Sequence, residues 1–395
     1  MTKAIFNLKK ISHIFFLLFF LVNNSLLLSE DKLIEKGKEQ QPAKEEVKYL
    51  PGGDEVKRLV EARKGKTELS KLAMKMEPGT WAQLNVEIPK GLWSAPQPSK
   101  GLHIGTWSDD GHWDSRTGQF IYFGVRQARK LVAYSEEKNQ WRVVEFDKKP
   151  NAPEVLQQFG HQYSCNSLDP ERSLYYTYSW CYDIRQDTWS QLPPNEIGSS
   201  SMCWEYFSAM DGLFTIGRKP KSGTLSYFSV KDKSWKSLGN IPVHGYHSLA
   251  RHNPFREELL FAGGNDSRAV VIISKDGQIK QMKDFPLDIE KFTVRTTVIT
   301  VDPLSGRYLI MTPEQQFVEF DSEKNEYRLI DDFTKTPWPF YKYDGKLAAY
   351  IPEYGVTMWA DSVKVHLYKH KVCTNNPLES IPSKVEPEKK SKESK

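Results

Sequence analysis

A turn that begins with aspartate or asparagine recurs six times in this chain of 395 residues, at intervals of 42 to 55 residues. Asp and Asn side chains bond to nearby backbone in tight turns, and a following Pro or Gly supplies the dihedral angles that the turn needs. An apolar run follows each turn, as expected for a strand that neighbouring sheets cover on both faces. A repeat of this length predicts an array of small modules. The turns begin at Asp114, Asp169, Asp211, Asn253, Asp302 and Asp344.

One stretch, from Tyr246 to Met282, shows the whole module. Strands flank the turn at Asn253, the pair Gly263-Gly264 ends the second strand, and a turn at Asp276-Gly277 separates the third strand from the fourth. Four short strands joined by tight turns predict one blade of a β-propeller. With its double glycine the stretch resembles a Kelch repeat. The chain is therefore similar to the Kelch-type propellers, also known as the galactose-oxidase central-domain type.

The ring needs a closing strand. Outer strands begin with an aromatic residue, as at Trp189 and Trp235, but no such strand follows Tyr368. The segment 79–84, which precedes the first blade, closely matches the outer strand 187–192. We expect it to complete the last blade, because such closure hides sheet edges. The predicted fold is all-β, a six-bladed Kelch-like propeller of four-stranded blades with a short helical N-terminal extension.

The N-terminal residues 1–29 have the layout of a signal peptide, with lysines before the apolar run Ile11 to Val22. This run is shorter than the ~20 apolar residues of a membrane-spanning helix. We therefore expect export, to the periplasm or the medium, and an uncleaved membrane anchor is the alternative. Residues 30–78 are predicted to form a charged spacer and short helices.

The predicted propeller spans residues 79–371, and 372–395 is predicted to be a disordered tail rich in Lys and Glu. The net charge of +5 comes from the leader, which carries +3, and from residues 371–395, which carry +2. The part between them is neutral overall, which gives no support for a nucleic-acid partner. We expect a monomer.

Four cysteines are too few for a disulfide scaffold. Cys165 and Cys203 fall on the inner strands of neighbouring blades and form the pair best placed to bridge. Cys181 lies two strands away from Cys165, beyond bridging reach. The alternative is that these three residues and Cys373 are all thiols.

Ligands of propellers commonly meet the face at which the chain enters the inner strands, where several blades converge on one concavity. Aromatic rings with a few charges there suit a protein or carbohydrate ligand. The alternative is that the same aromatics fill the channel as core. Loops between second and third strands add the carboxylates Asp266, Glu314 and Glu353 to this face. The predicted ligand-binding residues are Trp107, His161, Trp204, Glu205, Tyr246, His247, Arg295 and Tyr341.

The resemblance also raises copper chemistry, because galactose and glyoxal oxidases place a Tyr-His pair where this chain has Tyr246-His247. Phenolate and imidazole suit Cu(II). That family also needs a distant His ligand and a Tyr cross-linked to Cys. The later inner strands contain no His, and His366 and His370 lie on or beyond a third strand. We therefore expect no copper and no other cofactor.

Six blades and export are also similar to the periplasmic Kelch epimerase of sialic acid. In that case Glu205 or His161 would transfer the proton, but no spacing in the chain requires it. Our leading hypothesis is a non-enzymatic binding platform at the channel mouth. The alternative is a carbohydrate-active enzyme, an epimerase or mutarotase before a copper-radical oxidase.

Overall fold

A computed structural model describes most of the chain between Leu50 and Glu379. The predicted signal peptide and most of the predicted tail lie outside the described residues and stay predictions. The described ranges are 50–94, 103–105, 108, 111–124, 130–145, 148–152, 163–194, 201–217, 223–265, 267–287, 292–294, 297–337, 339, 346–361 and 363–379.

Six antiparallel sheets make up the described structure, and five of them follow chain order from inner to outer strand. Blade one comprises β2 (His112–Asp114), β3 (Gln119–Gly124), β4 (Lys130–Ser135) and β5 (Gln140–Val144). Blade two comprises β6 (Asn166–Asp169), β7 (Leu174–Thr177), β8 (Trp180–Asp183) and β9 (Thr188–Gln191). Blade three comprises β10 (Ser201–Phe207), β11 (Gly212–Gly217), β12 (Gly223–Ser229) and β13 (Ser234–Ile241).

Two of the remaining blades, five and six, each take up a strand from one end of the chain. Blade four comprises β14 (Ser248–Asn253), β15 (Glu258–Gly263), β16 (Val270–Ser274) and β17 (Ile279–Gln281). Blade five comprises β18 (Val298–Val301), β19 (Tyr308–Met311), β20 (Gln316–Asp321), β21 (Glu326–Asp332) and the C-terminal β25 (Pro377–Leu378). Blade six comprises β22 (Leu347–Ile351), β23 (Val356–Ala360), β24 (Val365–Lys369) and the N-terminal β1 (Thr80–Leu84).

The ring closes as the sequence predicts. The inner strands contact one another in the cyclic order β2, β6, β10, β14, β18, β22 and back to β2. β1 pairs antiparallel with β24, and Trp81 lies opposite Tyr368. The all-β six-bladed propeller and its N-terminal closing strand are confirmed.

The aspartate turns form because their side chains accept backbone hydrogen bonds. Asp169 accepts from the N–H of Glu171 at 3.0 Å and of Arg172 at 3.2 Å. Asp302 accepts from the N–H of Ser305 at 2.8 Å. We call the side of the ring that carries these inner-to-second-strand turns the turn face, and the opposite side, where the chain enters the inner strands, the loop face.

Blade six corrects the strand assignment. The sequence interpretation took 347–351 as a second strand that follows a turn at Asp344-Gly345, but β22 is the inner strand. The turn to the second strand is a 3₁₀ turn at Pro352–Tyr354. Both β22 and β23 are apolar almost throughout, so their pattern does not show which strand is inner. Glu353 therefore lies on the turn face, not among the loop-face carboxylates.

Two short helices precede β1, as predicted. They are α1 (Gly53–Arg63) and α2 (Glu68–Lys75). The Thr67 hydroxyl caps α2 by accepting from the N–H of Ser70 at 3.1 Å, a contact that stabilises helix starts. Neither of these described helices is long and apolar enough to cross a bilayer.

Arg63, at the end of α1, reaches two buried carboxylates on the turn face. Its Nε donates to Glu136 at 2.8 Å, and its Nη2 lies 3.7 Å from Glu353. Glu353 also accepts from the indole N–H of Trp113 at 2.9 Å and the Ser115 hydroxyl at 2.7 Å. Burial raises the pKa of Glu353 to about 7; the Trp113 and Ser115 bonds oppose the rise and the Glu136 charge adds to it. We name Arg63, Glu136 and Glu353 the N-terminal clasp.

The C-terminal segment is held by a cluster of opposite composition. Glu319 accepts from Arg307 at 2.5 Å, and its other oxygen lies 2.6 Å from His370 Nε2 and accepts the Cys373 N–H at 2.9 Å. Beyond this point β25 pairs with β21. The prediction of disorder from residue 372 is therefore wrong for 377–378, and blade five has five strands rather than four. We name Arg307, Glu319 and His370 the C-terminal clasp.

The four cysteines all carry thiols rather than disulfides. Cys165, Cys181 and Cys203 are buried, and Cys373 is half-buried. The proposed disulfide between Cys165 and Cys203 is therefore not made. The backbones of Ser164 and Cys203 nevertheless pair in an isolated parallel β-bridge. The thiol alternative describes these residues.

Candidate functional site

The inner strands converge on a narrow cavity at the centre of the channel. It measures about 10 Å³, the space that a single water molecule needs. Five of the six blades contribute to its wall. The lining residues are Gly111, His112, Trp113, Leu168, Glu205, Arg251, Ala349 and Tyr350.

Glu205 and Arg251 place opposite charges at this centre, and each is only 2% exposed. Their influence is visible in neighbouring groups. Burial lowers the pKa of His252 to about 3 and the Arg251 charge adds to that shift. Burial raises the pKa of Tyr350, and the Glu205 charge raises it further.

This placement decides what Glu205 can do. A general acid or base must come within hydrogen-bond reach of the substrate, and a sugar ring is many times larger than a cavity of about 10 Å³. Glu205, predicted as a mouth residue and considered as a proton-transfer group, instead lines this central cavity. Arg251, which was not among the predicted site residues, lines the same cavity. An arginine in the middle of the inner strand β14 is the signal that could have found it.

Trp204 lies in the core. Its side chain is 4% exposed, and its ring stands edge-on to that of Trp235 at 5.3 Å between centroids. Successive residues of a strand point to opposite faces of the sheet. Trp204 and its neighbour Glu205 therefore lie on opposite faces, and no ligand role is assigned to Trp204.

An aromatic cluster does form on the loop face, where blades two and four enter the ring. The hydroxyl groups of Tyr163 and Tyr246 lie 3.2 Å apart. The Tyr246 and His247 ring centroids are 3.9 Å apart, and those of Tyr163 and His247 are 5.1 Å apart. We name these three residues the mouth cluster. Tyr246 is half-buried, so part of its ring faces solvent.

The double glycine that marks blade four positions this cluster. A Cβ on Gly263 would lie 1.9 Å from the carbonyl oxygen of Phe292, and one on Gly264 would lie 2.5 Å from that of His244. Only glycine allows the loops entering blades four and five to pass this close. The next residue, Asn265, bonds through Oδ1 to Nδ1 of His247 at 2.8 Å. The side chain of His247 is thereby fixed in orientation.

Backbone strain accompanies the cluster. Tyr163 has a φ of 51° and His247 a φ of 63°. Bulky residues rarely adopt this left-handed region, and it persists where the surroundings enforce it, often at functional sites. Here the His247 carbonyl accepts from the N–H of Val294 at 3.0 Å, which ties blade four to the loop entering blade five.

Four predicted site residues, Trp107, His161, Arg295 and Tyr341, lie outside the described residues and stay predictions. Among those that are described, the structure brings Tyr246 and His247 together at the mouth and sends Glu205 and Trp204 elsewhere. Tyr163 joins the mouth cluster although it was not among the selected residues. Within the described part of the chain, no three His, Cys, Asp or Glu residues are placed to hold a metal ion.

No protein-family model matches the chain, and no curated protein matches it. Among solved structures, a chain of a nidogen/laminin complex is similar with a TM-score of 0.42 and 9% sequence identity, over 58% of this chain and 81% of that one. The six-sheet topology, rather than this likeness, establishes the propeller fold. Membership of the Kelch-type family stays a prediction.

Proposed function

We propose that this protein is an exported, monomeric, non-enzymatic binding platform whose loop face holds a protein ligand. The observation that carries the proposal is the mouth cluster: three aromatic side chains from two blades, fixed by hydrogen bonds and held over a channel that is nearly filled at its centre. Among these three side chains Tyr246 is half-buried and faces solvent in part, whereas Tyr163 and His247 are buried beneath it and fix its position.

The chemistry of the cluster supports a protein ligand. Tyrosine offers a large rigid surface and a hydrogen-bonding hydroxyl at low cost in side-chain entropy, which is why it is enriched at protein interfaces. Because the Tyr163 and His247 backbones are already strained into place, little ordering remains to oppose binding. The predicted residues Trp107, His161, Arg295 and Tyr341 would extend this surface around the mouth.

Export rests on the leader, in which lysines precede the apolar run Ile11 to Val22. A ligand of the loop face would then be met outside the cytoplasm. If the leader is retained, the same platform would be tethered to a membrane.

The test places a photo-reactive amino acid at position 246 of the full chain and cross-links it in an extract of the source cells. Unlabelled wild-type protein should abolish the cross-linked band, whereas the double variant Tyr246→Ala/His247→Ala should compete at least tenfold less well. Lys324→Ala, an exposed change on the turn face, is the matched control and should compete like wild type. Equal competition by the double variant would overturn the proposal.

Two further measurements separate the alternatives. Glycan-array binding that is lost in Tyr246→Ala/His247→Ala would move the ligand class from protein to carbohydrate. Epimerisation or mutarotation of a free sugar, abolished by Glu205→Gln in a folded protein, would replace the platform with an enzyme.

A further inference from the structure

The outer halves of blades three and five share one register. Six of the seven residue pairs between β12 and β13, all except Gly223 opposite Ile241, become pairs between β20 and β21 when 92 is added to both residue numbers. Trp235 opposite Phe228, for example, corresponds to Tyr327 opposite Phe320. The bulge also falls at the same place, directly after Ser237 in blade three and directly after Leu329 in blade five.

The aromatic residues of these strands are anchored alike. The Trp235 indole N–H donates to the carbonyl of Pro193 at 3.0 Å, just after the outer strand of blade two. The Tyr327 hydroxyl donates to the carbonyl of Lys283 at 2.9 Å, just after the outer strand of blade four. Strand β13 and strand β21 are therefore equivalent in backbone register and in the hydrogen bond that each makes to the neighbouring blade.

They differ in what covers their outer edge. β21 is covered by β25: Leu378 lies opposite Tyr327, Pro377 lies opposite Arg328, and the Leu329 N–H donates to the Asn376 carbonyl at 3.0 Å. This pairing stops before the bulge. The chain thus supplies its own example of an extended segment bound at this kind of edge.

β13 lacks such a cover within the described residues, where it pairs with β12 alone. It has 8 residues, whereas the outer strands of blades one, two, four and six have three to five. Residues from Lys236 to Asn240 are exposed, and Trp235 is half-buried while its counterpart Tyr327 is 2% exposed. A long edge with outward N–H and C=O groups is a template for a further strand.

The charges beside the two edges are different. The approach to β13 carries Lys231, Asp232 and Lys233, and Lys236 follows within the strand; all four are exposed. The equivalent positions of blade five are Glu323, Lys324, Asn325 and Arg328. Together with Glu326, these residues have a net charge close to zero. When a segment pairs with β13 as β25 pairs with β21, its leucine lies opposite Trp235. The residues after that leucine then lie beside Lys233 and Lys231. These positions favour acidic side chains.

We infer that the outer edge of β13 is a second interaction surface, separate from the loop face, that binds an extended acidic segment of a partner protein by strand addition. The bound segment repeats the pattern of β25, a proline followed by leucine opposite Trp235, and continues with acidic residues beside the lysines. Main-chain hydrogen bonds give such a complex its affinity, and the leucine and acidic positions give it specificity.

The test uses a fluorescent peptide in which the sequence of residues 374–379 is followed by three further acidic residues, and measures its binding to the full chain by anisotropy. Ser237→Pro removes the outward N–H that corresponds to Leu329 N and should weaken binding at least tenfold. Proline is tolerated where an edge N–H faces solvent. Ser237→Ala keeps the N–H and should bind like wild type.

Lys231→Glu/Lys233→Glu is a second variant that leaves the backbone unchanged. It should weaken binding of the acidic peptide at least fivefold while leaving a peptide with glutamine in place of the acids unaffected. Hydrogen exchange of the wild-type complex should slow at 235–237 and not at 327–329, which excludes displacement of the protein's own β25. Binding equal in Ser237→Pro and Ser237→Ala, protection confined to 327–329, or no binding at all would overturn the inference; in the last case the lysines serve only to guard the edge against pairing.

Discussion

The two ends of the propeller chain are fastened by buried charge clusters of opposite composition. The N-terminal clasp sets two carboxylates, Glu136 and Glu353, around the single cation Arg63. The C-terminal clasp sets two basic side chains, Arg307 and His370, around the carboxylate of Glu319, and Arg307 also lies 3.1 Å from Asp321. The N-terminal clasp therefore has an excess of negative charge at high pH, whereas the C-terminal clasp loses the negative charge of its central carboxylate, Glu319, at low pH.

The strands that follow the clasps differ as well. β1 makes five residue pairs with β24, and Trp81 lies against Tyr368, Phe317 and Trp359 with ring centroids 4.5 to 5.8 Å apart. β25 makes two pairs with β21. The N-terminal end therefore closes the ring, whereas the C-terminal end is added to a blade that is already complete.

The largest effect is expected from Arg63→Ala, because it leaves Glu136 and Glu353 buried without their shared cation. Breaking a buried ion pair in this way costs about 4 kcal/mol, measured as the free energy of unfolding in urea at neutral pH. Lys64→Ala, which removes only an exposed pair with Glu61, should cost less than about 0.5 kcal/mol. Equal effects of the two variants would show that the N-terminal clasp does not hold the helices.

Trp81→Ala tests the closing strand. Loss of the aromatic contacts between β1 and blades five and six should lower the free energy of unfolding by about 3 kcal/mol. Gln83→Ala, on the same strand and exposed, should be nearly neutral. A small effect of Trp81→Ala would mean that backbone pairing alone seals the ring.

The third prediction concerns pH. The folded-state pKa of Glu353 is raised to about 7 from an ordinary value of 4.5. The folded protein therefore binds this proton more tightly than the unfolded chain, and the resulting stability is present below pH 4.5 and is lost as the pH rises through 7. Between pH 5 and pH 8 this group should account for a loss of about 2.5 kcal/mol.

Glu353→Gln should remove that part of the pH dependence, because the amide does not titrate. Unfolding curves of wild type and variant at pH 5 and pH 8 give the measurement. If the free energy of unfolding of the variant changes between pH 5 and pH 8 as much as that of wild type, a group other than Glu353 is responsible.

At the C-terminal clasp the pH dependence of stability has the opposite sign. Burial pushes the pKa of Glu319 up, but the bonds from His370 and the Cys373 N–H outweigh it, and the net pKa is lowered. Stability from this group is therefore present above pH 4.5 and is lost as the pH falls through the lowered pKa. His370→Gln should cost about 1 kcal/mol and speed hydrogen exchange of the Cys373 and Leu329 amides. Amides of β24 should not change, nor should any amide change in the exposed control Lys371→Gln.

The smallest effect is expected from Leu378→Ala. It shortens one half-buried side chain in a strand of two residues, so the free energy of unfolding should fall by only about 0.5 kcal/mol. A loss as large as that of Trp81→Ala would erase the distinction between the two ends.

The sequence predicted the ring well because its markers are local. Aspartate turns such as Asp169 and Asp302 bond within three residues, so their pattern is readable along the chain. The strand assignment in blade six was wrong because the turn after its inner strand, at Pro352–Tyr354, is a 3₁₀ turn rather than an aspartate turn. Two successive apolar strands also did not show which of them is the inner one. Strand β25 was missed because two residues with a proline carry no strand pattern.

The candidate site was less predictable. Tyr246 and His247 were found because they stand where the chain enters the inner strand of the most regular blade, whereas the positions of Glu205 and Trp204 depend on which face of β10 meets the axis. Strand alternation could have shown that the two point in opposite directions. Arg63, Glu136 and Glu353 are far apart in sequence and meet only through the closed ring.

The closure of blade six also sets how the molecule would respond to tension between its ends. Thr80, where β1 begins, lies opposite Lys369, where β24 ends. A pull applied through the leader and the tail would act on the same end of this antiparallel pair and would open its hydrogen bonds one after another, as a zipper opens, rather than shear them together. The β1–β24 pair can therefore be stable in the absence of force and still open at low force, unless the N-terminal and C-terminal clasps bear the force before it does.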